Sequence, residues 1–168
     1  HLEAISAKLM ESGAQVVEGD DGREFFIRVS STGRARAVNI KTLPYPGFPT
    51  DLQQPMMAYL STAQGNSFIV ENIFEDRFNH VAELQRMGAT ITLNARTAMI
   101  EGVEQLSGAK LCAGELRGGA ALVTAALAAE GTSEITGVGY IDRGYESIEK
   151  ALRSVGADIS RVGQQSRN

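Results

Sequence analysis

The sequence predicts an α/β fold built from a repeated unit, with helices enclosed and sheets outside. Three observations predict it. The same helix-ending phrase recurs at residues 9–14 (LMESGA), 84–89 (LQRMGA) and 152–157 (LRSVGA): a helix end, a glycine suited to the left-handed position that stops a helix, then a strand. Asp76-Arg77 and Asp142-Arg143 stand at matching places ahead of the last two copies, as do Asp51-Leu52-Gln53 and Glu115-Leu116-Arg117. Finally, the helical stretch 116–129 carries one charge, Arg117, among Gly, Ala, Leu, Val and Thr. A helix apolar on every side is buried on every side, which places it within the sheets and reverses the usual α/β layering. One unit spans about residues 37–102 and another about 110–162. A third is present only as its tail, about 1–30.

Each element follows from local pattern. Residues 1–12 are helical, with Leu2, Ile5, Leu9 and Met10 on one face, and Gly13 ends the helix. Residues 14–18 and 24–29 read as strands around an Asp20-Asp21-Gly22 turn. Residues 37–42 read as a strand. Three prolines then stiffen 44–49 by fixing φ and removing donors. Thr50 and Gln53 have the spacing of a capping box for a helix running to about residue 63, with Pro55 costing it one hydrogen bond. Residues 67–73 form a strand and 78–87 a helix. Residues 89–93 and 98–102 are strands around Asn94-Ala95-Arg96. A short strand follows at 110–113, a helix at 115–129, a strand at 133–138, a helix at 145–155 and a last strand at 157–162. Residues 164–168 read as a frayed tail. Gly118-Gly119 inside a helix costs about 1 kcal/mol each against Ala, which implies that another backbone packs closely there.

Composition excludes several classes. The chain has 168 residues, 43% hydrophobic and 21% charged, which suits one domain with a real core. A net charge of −4 argues against non-specific nucleic-acid binding. No apolar run approaches a membrane span and no signal peptide is evident. One cysteine permits no internal disulfide, which fits a reducing compartment. The chain opens on His1 directly in a helical pattern, so it reads as a piece of something longer.

The chemistry gathers at Tyr140–Glu146 (YIDRGYE), read as a strand-to-helix turn. There, exposed backbone N–H groups and the Arg143 guanidinium can hold an anion together, with Gly144 free to adopt an unusual φ. The stretch 73–77 (IFEDR) repeats the design with Arg77. Arg117 opens the nearly uncharged helix. Each arginine alone suits a surface ion pair; their repetition argues for a shared anion site. Asp51 falls in the first turn of a helix, where a carboxylate favours the positive end. Cys112 reads as a small core residue, and His80 as a polar residue on a helix face with no second ligand at metal spacing. The glycine-rich 114–119 lacks a P-loop lysine.

Five collinear motifs make a resemblance specific: PGFPTDLQ (46–53), IFEDRFNHVAELQRMGA (73–89), GVEQLSGAKL (102–111), ELRGGAALV (115–123) and YIDRGYESIEKALRSVGA (140–157). Across nearly its whole length the chain resembles the UDP-N-acetylglucosamine enolpyruvyl transferases, also called UDP-N-acetylglucosamine 1-carboxyvinyltransferases. The resemblance implies a two-domain cytoplasmic enzyme, each domain an inside-out α/β barrel of three βαβαββ units. This chain would be most of the C-terminal domain, with an N-terminal domain missing. It implies transfer of the enolpyruvyl group of phosphoenolpyruvate to the 3-hydroxyl of UDP-N-acetylglucosamine, through a tetrahedral intermediate, with release of phosphate. No cofactor and no metal are implied.

Residue by residue, Asp51 matches the aspartate that contacts the sugar hydroxyl and serves as its base. Ile73 matches the position whose backbone touches the nucleotide sugar. Arg143 matches the arginine on the phosphate, and Arg77 and Arg117 match those around phosphoenolpyruvate and the intermediate. Glu115 stands where the family usually has aspartate; its extra methylene moves the carboxylate. Glu75 and Asp142 read as residues that position their turns. The family's reactive cysteine and a key lysine fall outside this chain, so the isolated chain is expected to be inactive. Two other readings are an enolpyruvylshikimate-phosphate synthase domain, which shares fold and phosphoenolpyruvate, and a non-catalytic binding domain.

Overall fold

The computed structural model describes residues 2–20 and 22–163. The expected tail at 164–168, His1 and Asp21 of the first turn lie outside the described residues. Helix α1 (Glu3–Glu11) leads into an antiparallel hairpin, β1 (Gln15–Asp20) and β2 (Phe25–Ser30). Leu2 and Met10 of the expected apolar face are half exposed, whereas Ile5 and Leu9 join the core. β3 (Ile40–Lys41) is shorter than expected, and a 3₁₀ turn (Thr50–Leu52) runs into α2 (Gln53–Leu60). Then come β4 (Asn66–Val70), α3 (Val81–Arg86), β5 (Thr90–Asn94) and β6 (Thr97–Glu101). The order from β3 to β6 is βαβαββ, and these four strands make one sheet in the order β3-β4-β6-β5. β3 runs parallel to β4 and the other pairs are antiparallel.

The last part has β7 (Lys110–Cys112), α4 (Leu116–Ala128), β8 (Glu134–Thr136), α5 (Gly139–Asp142) and α6 (Ile148–Ser154). β7 and β8 pair in parallel. The expected strand at 157–162 does not form: β1 and β5 are each held by a following hairpin strand, and among the described residues none follows here. A one-turn helix, α5, instead of a continued strand, precedes Arg143.

Helices α2 and α4 lie side by side at the centre. α2 buries Gln53, Gln54, Met56, Met57, Ala58 and Leu60, and α4 buries every residue from Gly118 to Val123. Farther along α4, Thr124, Leu127 and Ala128 open to solvent, so burial on all sides holds only for the middle turns. The four strands of this sheet turn Ile40 (β3), Ile69 (β4), Ile91 (β5) and Ala98 and Ile100 (β6) inward, and β4 and β6 leave alternate residues outward. The described strands form no closed sheet.

Gly118 and Gly119 are crowded by side chains rather than by a backbone. A Cβ on Gly119 would lie 2.6 Å from Ile141 Cγ1, and one on Gly118 would lie 3.2 Å from His80 Cβ. The capping box is absent: Thr50 turns its hydroxyl elsewhere, and Gln53 is wholly buried. Pro55 falls in the first turn of α2, directly after the 3₁₀ turn. Between the hairpin and the sheet, Arg34 donates to the carbonyls of Thr62, Ala63, Gly102 and Val103, at 2.6–3.1 Å.

Candidate active site

The site forms where the turn before α2, the loop after β4 and the start of α4 meet. The proline-stiffened loop closes on itself, with Leu43 N–H donating to Phe48 C=O, and delivers Thr50 and Asp51 at the head of α2. Across from it, β4 ends at Val70 and the chain turns out through 71–77. Glu71, 1% exposed, organises that turn. Its Oε1 accepts from Thr42 Oγ1 (2.8 Å) and from the backbone N–H groups of Ile73 (2.8 Å) and Phe74 (3.2 Å). Its Oε2 accepts from Thr50 Oγ1 at 2.9 Å.

Arg77 reaches back from this turn. Its Nη2 donates to Asp51 Oδ1 at 2.7 Å and its Nη1 to Thr50 Oγ1 at 3.1 Å. The guanidinium lies over the Phe74 ring, 4.5 Å from the centroid. From the first turn of α4, Arg117 donates through Nη2 to Asp51 Oδ2 at 2.9 Å and through Nη1 to Tyr145 Oη at 3.2 Å. Asp51 is thus held by one guanidinium on each oxygen.

This geometry sets the electrostatics. Partial burial works against the charge of Asp51, but the hydrogen bonds and positive charges of Arg117 and Arg77 outweigh it and hold the carboxyl below its ordinary value. Burial likewise works against Arg117, and Asp51 and Tyr145 overcome it and raise its affinity for its proton. One carboxylate between two guanidiniums leaves a net charge of +1. The cluster can bind an anion while keeping an acceptor beside it.

Behind the triad, Glu115 Oε1 accepts from Gln54 Nε2 at 2.6 Å, and the same amide lies 3.4 Å from His80 Nδ1. His80 is 4% exposed, so the expected helix-face role fails: it stands just before α3, packed beside Gly118, and burial lowers its pKa to about 4. Cys112 is also misplaced by the sequence reading. It is exposed on β7 rather than in the core, and its backbone N–H donates to Glu83.

The structure therefore joins Asp51, Arg77 and Arg117, sets Glu115 next to them through Gln54, and ties Ile73 to the same turn through Glu71. Asp51 makes no helix cap; both its oxygens serve the ion pairs. Arg143 is not drawn into this cluster. It caps the C-terminal end of α5, not a helix N-terminus, so the expected row of exposed N–H groups is missing there. Gly144 has no positive φ; it packs on Leu116, whose side-chain end would have to shift to admit a Cβ, which would lie 2.9 Å from Leu116 Cδ2. That contact and the Arg117–Tyr145 hydrogen bond bring the Arg143 turn against the head of α4. Asp142 holds the turn from outside, with both oxygens accepting from Arg161 at 2.7 and 2.9 Å. Among the described residues, Glu75 makes only an exposed pair with Arg96 at 3.7 Å.

Sequence reasoning missed Glu71, Gln54 and Tyr145 as parts of the site, and gave Thr50 only a capping role. Glu71 had a signal: a charged residue inside a stretch read as an apolar strand. Among the described residues no three His, Cys, Asp or Glu side chains could hold a metal ion. No helix is long and apolar enough to cross a membrane.

Residues 1–152 match the family model described as EPSP synthase (3-phosphoshikimate 1-carboxyvinyltransferase). The chain belongs to the EPSP synthase family. Within it, the chain is 53% identical over 162 residues to "UDP-N-acetylglucosamine 1-carboxyvinyltransferase 2" of Carboxydothermus hydrogenoformans, covering 96% of this chain and 38% of that protein. It is 54% identical to the UDP-N-acetylglucosamine 1-carboxyvinyltransferase of Desulfofundulus thermocisternus, again over 96% of this chain and there 65% of the relative. The chain thus spans 38% of the length of several of the curated relatives it matches. Among solved structures, the enolpyruvyl transferase NikO from Streptomyces tendae superposes with a TM-score of 0.82 at 26% identity, over 95% of this chain and 36% of that one. EPSP synthase from Acinetobacter baumannii superposes at 0.64 with 20% identity, over 96% of this chain and 36% of that one, which speaks for the fold alone.

Proposed function

We propose that this chain is the greater part of the C-terminal domain of a UDP-N-acetylglucosamine 1-carboxyvinyltransferase. It would serve the first committed step of peptidoglycan precursor synthesis in the cytoplasm, and with it the cell-wall growth that cell shape and division need. The domain would be an inside-out barrel whose units span about 1–30, 37–102 and 110–162, completed by residues not in this chain. The observation that carries the reading is Asp51 held between Arg77 and Arg117, at the motif positions the family uses, in a chain 53% identical to proteins of that name.

The geometry gives each residue a task. Asp51 accepts the hydrogen bond of the sugar 3-hydroxyl and takes its proton as the oxygen attacks C2 of phosphoenolpyruvate, while the C2–C3 double bond opens and C3 takes a proton from an acid of the N-terminal domain. Arg77 and Arg117 keep Asp51 charged and stabilise negative charge on phosphoenolpyruvate and the tetrahedral intermediate. Arg143, exposed and unpaired among the described residues, is free to take the phosphate that leaves on elimination. Ile73 lines the nucleotide-sugar side through its backbone, and Glu115, joined to Gln54, supports the floor beside α2. The reactive cysteine and the lysine come from the N-terminal domain.

Separate titrations of the full-length enzyme with UDP-N-acetylglucosamine and shikimate 3-phosphate test the reading. Binding of the first and not the second is expected; the reverse would make it a shikimate enzyme, and binding of neither a non-catalytic domain. The isolated chain should release no phosphate above a no-protein control with both substrates present. Activity should return only when the N-terminal domain is supplied.

A further inference from the structure

We infer that Glu71 is a positioning residue for this site, fixing the Arg77 guanidinium through the hydroxyl of Thr50. The inference rests on the reading of Asp51, Arg77 and Arg117 as the substrate site, and it adds a residue that touches neither Asp51 nor Arg117.

The route is a short chain of donors and acceptors. A threonine hydroxyl has one proton to give and two lone pairs to receive with. Thr50 gives its proton to Glu71 Oε2 at 2.9 Å, which turns a lone pair towards Arg77 Nη1 at 3.1 Å. The Arg77 fork is then held at two points, with Nη1 on Thr50 and Nη2 on Asp51. Glu71 is suited to hold Thr50 because it is itself immobile. It is wholly buried, and its other oxygen gathers the Thr42 hydroxyl and the N–H groups of Ile73 and Phe74. One carboxylate therefore sets three things at once: the turn that carries Arg77, the Phe74 ring under its guanidinium, and the hydroxyl that orients its fork.

The two oxygens have unequal work, and this makes the role testable. In Glu71→Gln the amide oxygen belongs where three donors converge, at the Oε1 position. The amide NH₂ then faces Thr50. Thr50 has lone pairs enough to receive from both glutamine and Arg77, but its own proton loses its acceptor, so nothing fixes which lone pair faces Arg77. The turn keeps its backbone hydrogen bonds while Arg77 loses the fixed end of its fork.

The experiment is ¹⁵N spectroscopy of the arginine side chains in this chain and in its Glu71→Gln, Thr50→Val and double variants. A guanidinium held at both Nη atoms shows them as separate signals, and one that rotates freely averages them. In the parent, Arg77 and Arg117 should each show resolved Nη signals. In Glu71→Gln the Arg77 signals should merge while those of Arg117, held by Asp51 and Tyr145, stay resolved. Thr50→Val should do the same, and the double variant should go no further than either single one. Arg77 signals that stay resolved in a folded Glu71→Gln chain overturn the inference. So does merging of both arginines together, which marks general loosening. If Glu71→Gln does not fold, Thr50→Val decides: merged Arg77 signals support the relay, and unchanged ones overturn it. No substrate enters the measurement, so its failure leaves the proposed reaction standing, and failure of the substrate titrations leaves the Arg77 result intact.

Discussion

Asp76-Arg77 and Asp142-Arg143 are the same two residues at matching places in the chain, and the fold ties down opposite members. In the first pair the arginine is held. The Arg77 side chain is 13% exposed, bonded to Thr50 and Asp51 and stacked on Phe74, while Asp76 is exposed and has no partner among the described residues. In the second pair the aspartate is held, by both nitrogens of Arg161, while Arg143 is exposed and unpaired among the described residues. The difference follows from what lies nearby. The Arg77 turn faces a carboxylate at the head of α2; the Arg143 turn faces Leu116 and Tyr145, neither of which can pair a cation by charge. A held guanidinium tunes a neighbouring group, and a free one is available to an incoming ligand. The sequence repeat marks where cations stand, and the partner of each decides its use.

The sharpest way to test the held side is at its anchor. In the full-length enzyme, Asp51→Asn removes the charge both arginines use, and turnover should fall by at least about a hundredfold. The Asp51 side chain is itself half exposed, so melting should change far less than turnover. A large drop in melting temperature with normal turnover per folded molecule would make Asp51 only structural.

Acid should loosen the held side from behind. His80 has its pKa lowered from 6.5 to about 4 by burial, so the unfolded chain binds the extra proton across that interval. Stability is therefore full above pH 6.5 and declines as the pH falls towards 4, by about 3 kcal/mol. Denaturant melts of the chain at pH 7 and pH 4.5, against His80→Gln, check this. The variant should lose most of the pH slope; an unchanged slope would assign it to other groups.

On the free side, Arg143→Lys keeps the charge and loses the planar fork. Phosphoenolpyruvate affinity of the full-length enzyme should weaken roughly tenfold, with nucleotide-sugar affinity unchanged. Equal loss for both ligands would mean a general disturbance of the turn, and no loss for either would remove Arg143 from the anion site.

The smallest effect bears directly on the comparison. Arg77→Ala should cost about 1–2 kcal/mol of stability, through two charge-assisted hydrogen bonds and a ring contact. Arg143→Ala should stay within about 0.5 kcal/mol. Similar losses from the two, measured by urea unfolding of the chain, would erase the distinction between held and free.

Much of the architecture was legible from period and punctuation. The glycine after each helix, the uncharged α4 and the matching Asp-Arg pairs each mark an element by local chemistry, and the βαβαββ order from β3 to β6 follows from them. Asp51, Arg77 and Arg117 were legible as site residues through repetition and motif. Their mutual contact was not, because it joins residues 26 and 66 positions apart. The failures share that cause. Thr50 has the spacing of a cap, yet Glu71, in the turn just after β4, claims its hydroxyl. His80 and Cys112 swapped their expected exposures because burial depends on which helix packs over them. The strand expected at 157–162 has the right residues but, among the described residues, no neighbour to pair with.

Arg34 has a consequence for how the molecule opens. One guanidinium gathers four carbonyl oxygens from two separate chain reversals, and it comes from the segment that links the β1–β2 hairpin to everything after it. Every residue of β2 is exposed, so the hairpin has little buried area of its own to keep it closed. The ladder amides of β1 and β2 therefore exchange with solvent before those of the α2–α4 core, through local opening that leaves that core intact. Arg34 sets the boundary of that opening, because beyond it any further unfolding must strip four acceptors from a single donor group at once.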